Sequence, residues 1–328
     1  MKKIVITILS VALLCATLGF SACNKADGDV KVLLDWTPNT NHTGLYVAQA
    51  LGYYEEEGLK VSIEQPGDTG TSLLVSSGQA QFGIDFQDQM AYNYSKKINV
   101  TAVAAIIQHN TSGIVSLASE GIDAPKKMEN KVYATWDLEI EKAIIRKVME
   151  NDGGDYSKLQ MVPNVIYDIK SALETTDVDC AWIFEAWDKI VLERSNTEIN
   201  YFAFRDYADE LDYYTPVIIA NNDYLRNNPK QAQAFIRATE KGYMYAVEHP
   251  EEAAEILCGA VPELDADLVK ASLDYLSGQY VADAEYWGVI DKTRWDSFFR
   301  WIKEEGIVEE EIPSGYGFTN EYLSGKKA

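Results

Sequence analysis

A run of aromatic and polar side chains occupies residues 35–47, where the chain reads DWTPNTNHTGLYV. It follows a short apolar stretch that predicts a buried strand, and open α/β sheets bind ligands beyond the carboxyl ends of their strands. Aromatic faces with amide donors and acceptors suit a flat, hydrogen-bonding heterocycle. The alternative is an ordinary loop with a capping asparagine and a half-buried tryptophan. The candidate ligand-binding residues of this run are Trp36, Asn39, Asn41, His42 and Tyr46.

The imidazole of His42 can in principle bind a metal ion or accept a proton. The sequence places no histidine or cysteine at metal-ligand spacing from it. No nucleophile motif, phosphate-binding glycine loop or paired catalytic carboxylate is evident elsewhere in the sequence. We therefore expect His42 to form hydrogen bonds in or beside the site, and we predict no cofactor, no metal and no catalytic residue.

A carboxylate, Glu185, follows a second predicted buried strand in the string DCAWIFEAW. Its two oxygens can accept from two neighbouring donor groups of a ligand, which gives a two-point contact. The alternative is a surface glutamate that is favoured by the dipole of a helix N-terminus. Of the flanking tryptophans, we expect Trp187 to form a wall of the site and Trp182 to belong to the core.

Four further candidates stand at strand ends or near a predicted crossing between domains. Asp85 ends a strand, where it either faces a cleft or caps a helix. Trp136 follows a strand of the second half, where ligand-binding loops begin. Tyr213 and Tyr214 precede a Thr-Pro pair; at least one should line the cleft, and the alternative is a solvent-facing turn.

Several strings of the chain resemble one known family. They are LDWTPNTNHTGLYVA with LGYYEEEGLKV near the start, SGQAQFGID at 77–85, NDYLRNNPKQAQAFIRA at 222–238 and YGFTNEYL at 316–323. They are similar to the thiamine-pyrimidine family, which joins bacterial binding proteins for formylaminopyrimidine to the fungal enzyme that makes hydroxymethylpyrimidine. The first and last strings are the more specific, whereas the middle ones also occur in sulfonate- and nitrate-type binding proteins.

The resemblance implies an α/β, two-lobed periplasmic-binding-protein-like fold of type II, and it matches Glu185 to a glutamate of the family's pocket. Two departures separate the chain from the enzyme branch. A cysteine-rich cluster of that branch is replaced by DYYTP at 212–216, and its cofactor lysine and sacrificial histidine fall at Asp85 and Gln89. Because a Schiff base with pyridoxal phosphate needs a lysine, the resemblance indicates binding, not synthesis.

The elements that must position these residues alternate along the chain. Short apolar strands and helices alternate from residue 31 to 107 and again from 114 to 184, which predicts α/β lobes with largely parallel sheets. From residue 222 the pattern is mostly helical. We expect residues 30–113 and 217–328 to form lobe one and 114–216 to form lobe two. The C-terminal helices should return to lobe one.

The first residues have the pattern of a lipoprotein signal. Lys2 and Lys3 precede an apolar run at 4–18 that is short for a membrane span, and small residues lead to Cys23. Phe20 departs from the usual aliphatic residue at its position. We predict a signal peptide at 1–22, lipidation at Cys23, a tether at 23–29 and anchoring to the outer face of the cytoplasmic membrane. The alternative is a retained N-terminal membrane helix.

Composition excludes one class of partner. The chain has 51 acidic against 29 basic side chains and a formal net charge of −22, so it lacks the basic footprint that nucleic acid requires. Cys180 and Cys258 lie in apolar segments without metal spacing. We expect buried thiols there, with a disulfide as the alternative.

These observations predict a solute-binding lipoprotein of an ABC importer, which would dock on a membrane permease and ATPase. Its expected ligand is formylaminopyrimidine or hydroxymethylpyrimidine, held in the cleft between the lobes. Trp36 would stack on the ring, and Asn39, Asn41 and Tyr46 would form hydrogen bonds to it from lobe one. Glu185 would bind the amino group from lobe two. The alternatives are a binder of riboflavin, a sulfonate or another heterocycle, and a pyridoxal-phosphate-dependent synthase.

Overall fold

Two five-stranded sheets flanked by helices make up the computed structural model, which describes residues 28–67, 69–163 and 168–325. The predicted signal peptide, Cys23 and most of the predicted tether lie outside the described residues. The strands are β1 (Gly28–Leu33), β2 (Leu59–Glu64), β3 (Phe82–Asp85), β4 (Val100–Ala105), β5 (Ser112–Leu117), β6 (Val132–Thr135), β7 (Gln160–Pro163), β8 (Cys180–Phe184), β9 (Ile199–Ala203) and β10 (Val217–Asn221).

The α-helices are α1 (Thr43–Ala50), α2 (Tyr53–Glu56), α3 (Thr71–Ser76), α4 (Gln87–Ser95), α5 (Glu139–Asn151), α6 (Ile169–Thr175), α7 (Ile190–Arg194), α8 (Asn222–Asn227), α9 (Pro229–Glu248), α10 (Pro250–Ala260), α11 (Ala266–Leu276) and α12 (Lys292–Glu304). A π-helical turn, Glu185–Lys189, leads from β8 into α7. Local sequence sets several helix starts: the side chains of Asp265 and Asp291 accept from backbone amides in the first turns of α11 and α12.

Both sheets have the same strand arrangement. The first has the order β2-β1-β3-β10-β4 with β10 antiparallel, and the second has the order β7-β6-β8-β5-β9 with β5 antiparallel. We call the first sheet with its helices lobe one and the second lobe two. In this arrangement β1 is equivalent to β6, and β3 to β8. The prediction of a two-lobed α/β fold is confirmed.

Two connections join the sheets, at residues 106–111 and 204–216. The C-terminal chain returns to lobe one, since Gly288 and Phe318 pair with residues of β4. Helix α9 packs closely on α1: a Cβ on Gly242 would lie 2.0 Å from the carbonyl oxygen of Gly44, so this crossing requires glycine. Helices α11 and α12 also contact lobe two, as the bond from Arg146 to Glu305 illustrates (2.9 Å).

Two further predictions have an outcome here. Cys180 and Cys258 are both free thiols, so the disulfide alternative is wrong, and Cys180 is buried in β8. Cys258 is only partly buried. Among the described residues, the helices are all too short or too polar to cross a membrane.

Candidate functional site

The indole of Trp36 stands beyond the carboxyl end of β1 with 58% of its surface exposed. The turn behind it is held by its own side chains. Asn39 accepts from the amide of Asn41 (2.9 Å), and the amide of Asn39 donates to Nδ1 of His42 (3.1 Å). Since Nδ1 is an acceptor, Nε2 of His42 carries the proton and donates to Asp35 (2.6 Å). The buried His42 therefore supports the turn from within.

Asn41 and Tyr46 have different surroundings. Asn41 is partly exposed, its carbonyl accepts from the Tyr243 hydroxyl (2.7 Å), and its side-chain amide has no hydrogen bond to the described part of the chain. Tyr46 lies in the hydrophobic core of lobe one. Burial, with a smaller effect of Glu263, raises the pKa of its phenol. Within the described part of the chain, the hydroxyl of Tyr46 also has no hydrogen bond, so both residues keep a free polar group.

Trp136 occupies the equivalent place in lobe two, directly beyond β6, and is 44% exposed. Its ring lies 5.5 Å from that of Trp182, which in turn packs on Phe204. Its backbone amide donates to both oxygens of the buried Glu141 (3.1 and 3.0 Å). Two exposed indoles thus follow the two equivalent strands of the molecule.

Asp85, at the end of β3, is buried inside lobe one. Its carboxylate accepts from the hydroxyl of Ser72 and from the amide of Phe86 (2.9 Å), and Asn93 donates to Ser72 in turn (2.7 Å). Burial raises the pKa of Asp85 to about 7, against these hydrogen bonds, which lower it. The structure ties this predicted site residue into lobe one.

Glu185, directly beyond β8, is the corresponding carboxylate of lobe two. Its Oε2 accepts from the hydroxyl of Tyr275 (2.7 Å) and its Oε1 from Nζ of Lys189 (3.0 Å). Its side chain keeps 17% exposure. A cavity of about 330 Å³ borders all three residues.

Helix α11 joins the Trp36 turn to the Glu185 turn. The hydroxyl of Ser272 donates to the carbonyl of Ala186 and contacts the hydroxyl of Thr40 at 2.6 Å. Because a serine hydroxyl has one proton, Thr40 must be the donor of the second bond. Segments of both lobes that carry predicted site residues therefore meet on one helix.

Ser272 and Tyr275 were not predicted from the sequence. They stand three apart on one face of α11, which was predicted as a helix, but its sequence gives no sign of what that face contacts.

The structure places the remaining predicted residues elsewhere. Trp187 is partly buried against the core of lobe one. Tyr213 is buried and stacks on Phe298 (ring centroids 4.3 Å), and the buried Tyr214 accepts from the amide of Asp291 (2.8 Å). Both tyrosines thus belong to the packing of the second connection against α12 and the segment before it.

A larger cavity, about 910 Å³, is lined by residues of both lobes but by neither Trp36 nor Trp136. Helix α4 of lobe one, residues 138–140 of lobe two and residues 307–310 line it. It begins next to the ends of β3 and β6, away from Glu185, and the exposed side chains of Tyr92 and Leu138 border it. The space between the lobes is therefore a groove wide enough for a small molecule.

Among curated proteins, the chain is 27% identical to the formylaminopyrimidine-binding protein of Halalkalibacterium halodurans, across 94% of this chain and 97% of that one. It is 26% identical to the 4-amino-5-hydroxymethyl-2-methylpyrimidine phosphate synthase of Legionella pneumophila, across 92% and 94%. One relative is thus named as a binding protein and the other as an enzyme.

Among solved structures, the alkanesulfonate-binding protein SsuA of Xanthomonas axonopodis pv. citri, bound to MOPS, superposes with a TM-score of 0.68 at 10% identity, covering 89% of this chain and 98% of that one. This likeness shows that the fold is that of periplasmic binding proteins. The family model described as NMT1/THI5 like matches residues 39–253, which is more than half of the chain. The chain therefore belongs to the NMT1/THI5-like family.

Proposed function

We propose that this chain is the substrate-binding protein of an ABC importer and that it binds a thiamine-precursor pyrimidine, formylaminopyrimidine or hydroxymethylpyrimidine, between its lobes. The observation that carries the proposal is the pair of exposed indoles, Trp36 and Trp136, beyond equivalent strands of the two lobes. Large aromatic side chains are exposed at a cost, and at strand ends they suit stacking on a flat ring.

Two polar side chains match the hydrogen-bonding groups of an aminopyrimidine. Glu185 offers two acceptor oxygens beside a cavity, and Asn41 offers an amide that is free of other hydrogen bonds in the described residues. The name of the Halalkalibacterium relative supports the same ligand class. A ligand that touches both lobes favours their closed state through its differential affinity, and the closed form would dock on a permease and its ATPase. Anchoring through Cys23 stays a prediction.

Synthase chemistry is the second candidate, because several relatives are named as synthases. Pyridoxal phosphate would need an amine for a Schiff base. The position that the sequence matches to the enzyme's lysine holds Asp85, a buried carboxylate bonded to Ser72. These residues do not fit the cofactor, so we propose binding without synthesis. Adding pyridoxal phosphate should produce no imine absorbance near the visible edge; such a band would favour the enzyme.

Calorimetric titration of the purified protein tests the ligand assignment. Formylaminopyrimidine and hydroxymethylpyrimidine should give saturable heat, whereas riboflavin and an alkanesulfonate should give none. Trp36→Ala and Trp136→Ala should each weaken binding about tenfold or more, because stacking of a base on an aromatic ring contributes roughly 1–3 kcal/mol. Leu51→Ala removes an exposed apolar side chain at the far end of α1 and is the matched control.

Absence of both heat and thermal shift with either pyrimidine would reject the assignment. Saturable binding of the sulfonate or riboflavin in their place would reassign the ligand within the same importer function. Loss of affinity in Trp36→Ala alone would confine recognition to lobe one.

A further inference from the structure

We propose that Tyr275 is a positioning residue: its hydroxyl fixes the direction in which Glu185 presents its carboxylate to the amino group of the ligand. The inference rests on the proposed function and adds a determinant of specificity to it. Tyr275 lies on α11 and Glu185 directly follows β8, so their hydrogen bond joins the C-terminal helical region to lobe two.

The described residues use only half of the hydrogen-bonding capacity of the Glu185 carboxylate. A carboxylate has about four acceptor positions, two on each oxygen. Tyr275 occupies one on Oε2 and Lys189 occupies one on Oε1. As far as the described residues go, one position remains on each oxygen, which is what a two-point contact with an amino group and a neighbouring ring nitrogen requires.

The two donors also hold the side chain still. Glutamate has three rotatable bonds, and ordering such a side chain costs up to about 2 kcal/mol. Lys189 donates to Glu185 from the next turn of the same segment, whereas Tyr275 donates to it from α11. Burial, and then the bond to Glu185, raise the pKa of Tyr275, so that its hydroxyl stays a neutral donor at physiological pH.

Helix α11 also connects Glu185 to lobe one. Ser272 lies one turn before Tyr275 and binds both the carbonyl of Ala186 and the hydroxyl of Thr40. The helix thus fixes the separation between the Trp36 turn and Glu185. Tyr275 should set the preference for an amino-bearing ring, and Ser272 should set the distance between the ring-stacking and amino-reading groups.

The test compares two ligands that differ by one group: 4-amino-5-hydroxymethyl-2-methylpyrimidine and its analogue without the amino group. Wild type should bind the amino form at least tenfold more tightly. Tyr275→Phe removes only the hydroxyl, so it should weaken binding of the amino form about tenfold and leave binding of the analogue nearly unchanged. The ratio of the two dissociation constants, analogue over amino form, should therefore fall. Ser272→Ala should weaken both ligands and preserve the ratio.

Tyr245→Phe is the matched control, because Tyr245 also donates its hydroxyl to a glutamate, Glu252, but does so between α9 and α10. Its ratio should equal that of wild type. A Tyr275→Phe protein that discriminates as well as wild type overturns the inference and leaves the proposed function intact. A wild type that binds neither pyrimidine overturns both. Melting temperatures of all variants show whether each remains folded.

Discussion

The two lobes repeat one plan with different local chemistry. Trp36 and Trp136 are exposed beyond the equivalent strands β1 and β6, and the carboxylates Asp85 and Glu185 lie at the end of β3 and directly beyond its equivalent, β8. Asp85 is buried among donors of its own lobe, whereas Glu185 stays partly exposed and is held by a lysine and a tyrosine. Equivalent places in one topology therefore do not have equivalent chemistry; burial decides which carboxylate can meet a ligand.

The supports of the two tryptophans differ as well. In lobe one a neutral imidazole, His42, links the turn to Asp35. In lobe two the buried carboxylate of Glu141 is the main support of the turn, since it accepts from the backbone of Trp136 and from the hydroxyls of Tyr133 and Thr135. A buried charge with several donors is a strong support, but it is also vulnerable, because its removal leaves every donor unpaired.

Glu141→Ala should therefore have the largest effect of any single change at the two turns. It removes the acceptor of the Tyr133 hydroxyl (2.6 Å), the Thr135 hydroxyl (2.8 Å) and the Trp136 amide. Hydrogen bonds to a charged group contribute roughly 1.5–3 kcal/mol each, so we expect a loss of about 5 kcal/mol in the free energy of unfolding. Urea denaturation followed by circular dichroism measures it.

Glu139→Ala on the same helix is the control for this change. Glu139 is 82% exposed and pairs only with Lys142 (3.0 Å) among the described residues, so its loss should cost less than about 1 kcal/mol. Equal costs for the two variants would show that the support of the Trp136 turn does not depend on Glu141.

Asp85→Asn tests the buried carboxylate of lobe one through pH. The folded pKa is about 7, above the unfolded value, so the stabilising form is the protonated one. Its contribution is complete below about pH 4 and is lost as pH rises through 7. Each pKa unit corresponds to about 1.4 kcal/mol. The free energy of unfolding of Asp85→Asn, relative to that of wild type, should therefore rise by up to about 4 kcal/mol between pH 4 and pH 8.

For Asp123→Asn, the difference from wild type in the free energy of unfolding should change with pH in the opposite direction. The bond from Lys127 holds the pKa of Asp123 below its usual range, so that contribution is lost as pH falls, and it is small because the pair is exposed. Denaturation curves across pH 4–8 compare the variants. A difference between Asp85→Asn and wild type that does not change with pH would contradict the burial argument.

Much of the fold follows from the sequence, because unbroken apolar runs between turn residues specify buried strands. CAWIF at 180–184 is one, and the structure has β8 there. Strand β9 was missed because INYFA is only half buried and follows a polar stretch. Its pairing with β5, which the local sequence does not reveal, makes it a strand. Helix α7 was missed for a similar reason, since the π-helical turn before it breaks the helical period.

The candidate site was only partly predictable. Trp36 and Glu185 follow strands, so their positions could be inferred from local pattern. The burial of Tyr213 and Tyr214 could not, because aromatic residues before a proline look alike in a cleft and in a core, and the packing of α12 and the segment before it decides between them. Tyr275 lies ninety positions from its partner Glu185, a pairing that only the folded chain reveals.

A charged cluster around His109 joins the two connections between the lobes. His109, on the first connection, is bonded through Nδ1 to Asp212 of the second (2.7 Å) and through Nε2 to Asp283 before α12 (3.0 Å). The bond to Asp212 is the main cause that raises the pKa of His109, whereas burial and the nearby Arg294 lower it. The pKa of Asp212 is held below its usual range despite burial, chiefly by His109.

His109→Gln should destabilise the fold less than Glu141→Ala, and its effect should depend on pH in the direction opposite to that of Asp123→Asn. The raised pKa means that the charged imidazole stabilises the fold fully below about pH 6.5 and that this contribution is lost as pH rises through the folded value. The pair with Asp283 is exposed, so the loss should stay near or below about 1 kcal/mol. The free energy of unfolding of wild type should exceed that of the variant at pH 5.5, and the two values should converge at pH 8.5. A variant equally destabilised at both values would show that His109 acts through packing, and that the junction of the lobes does not respond to its charge.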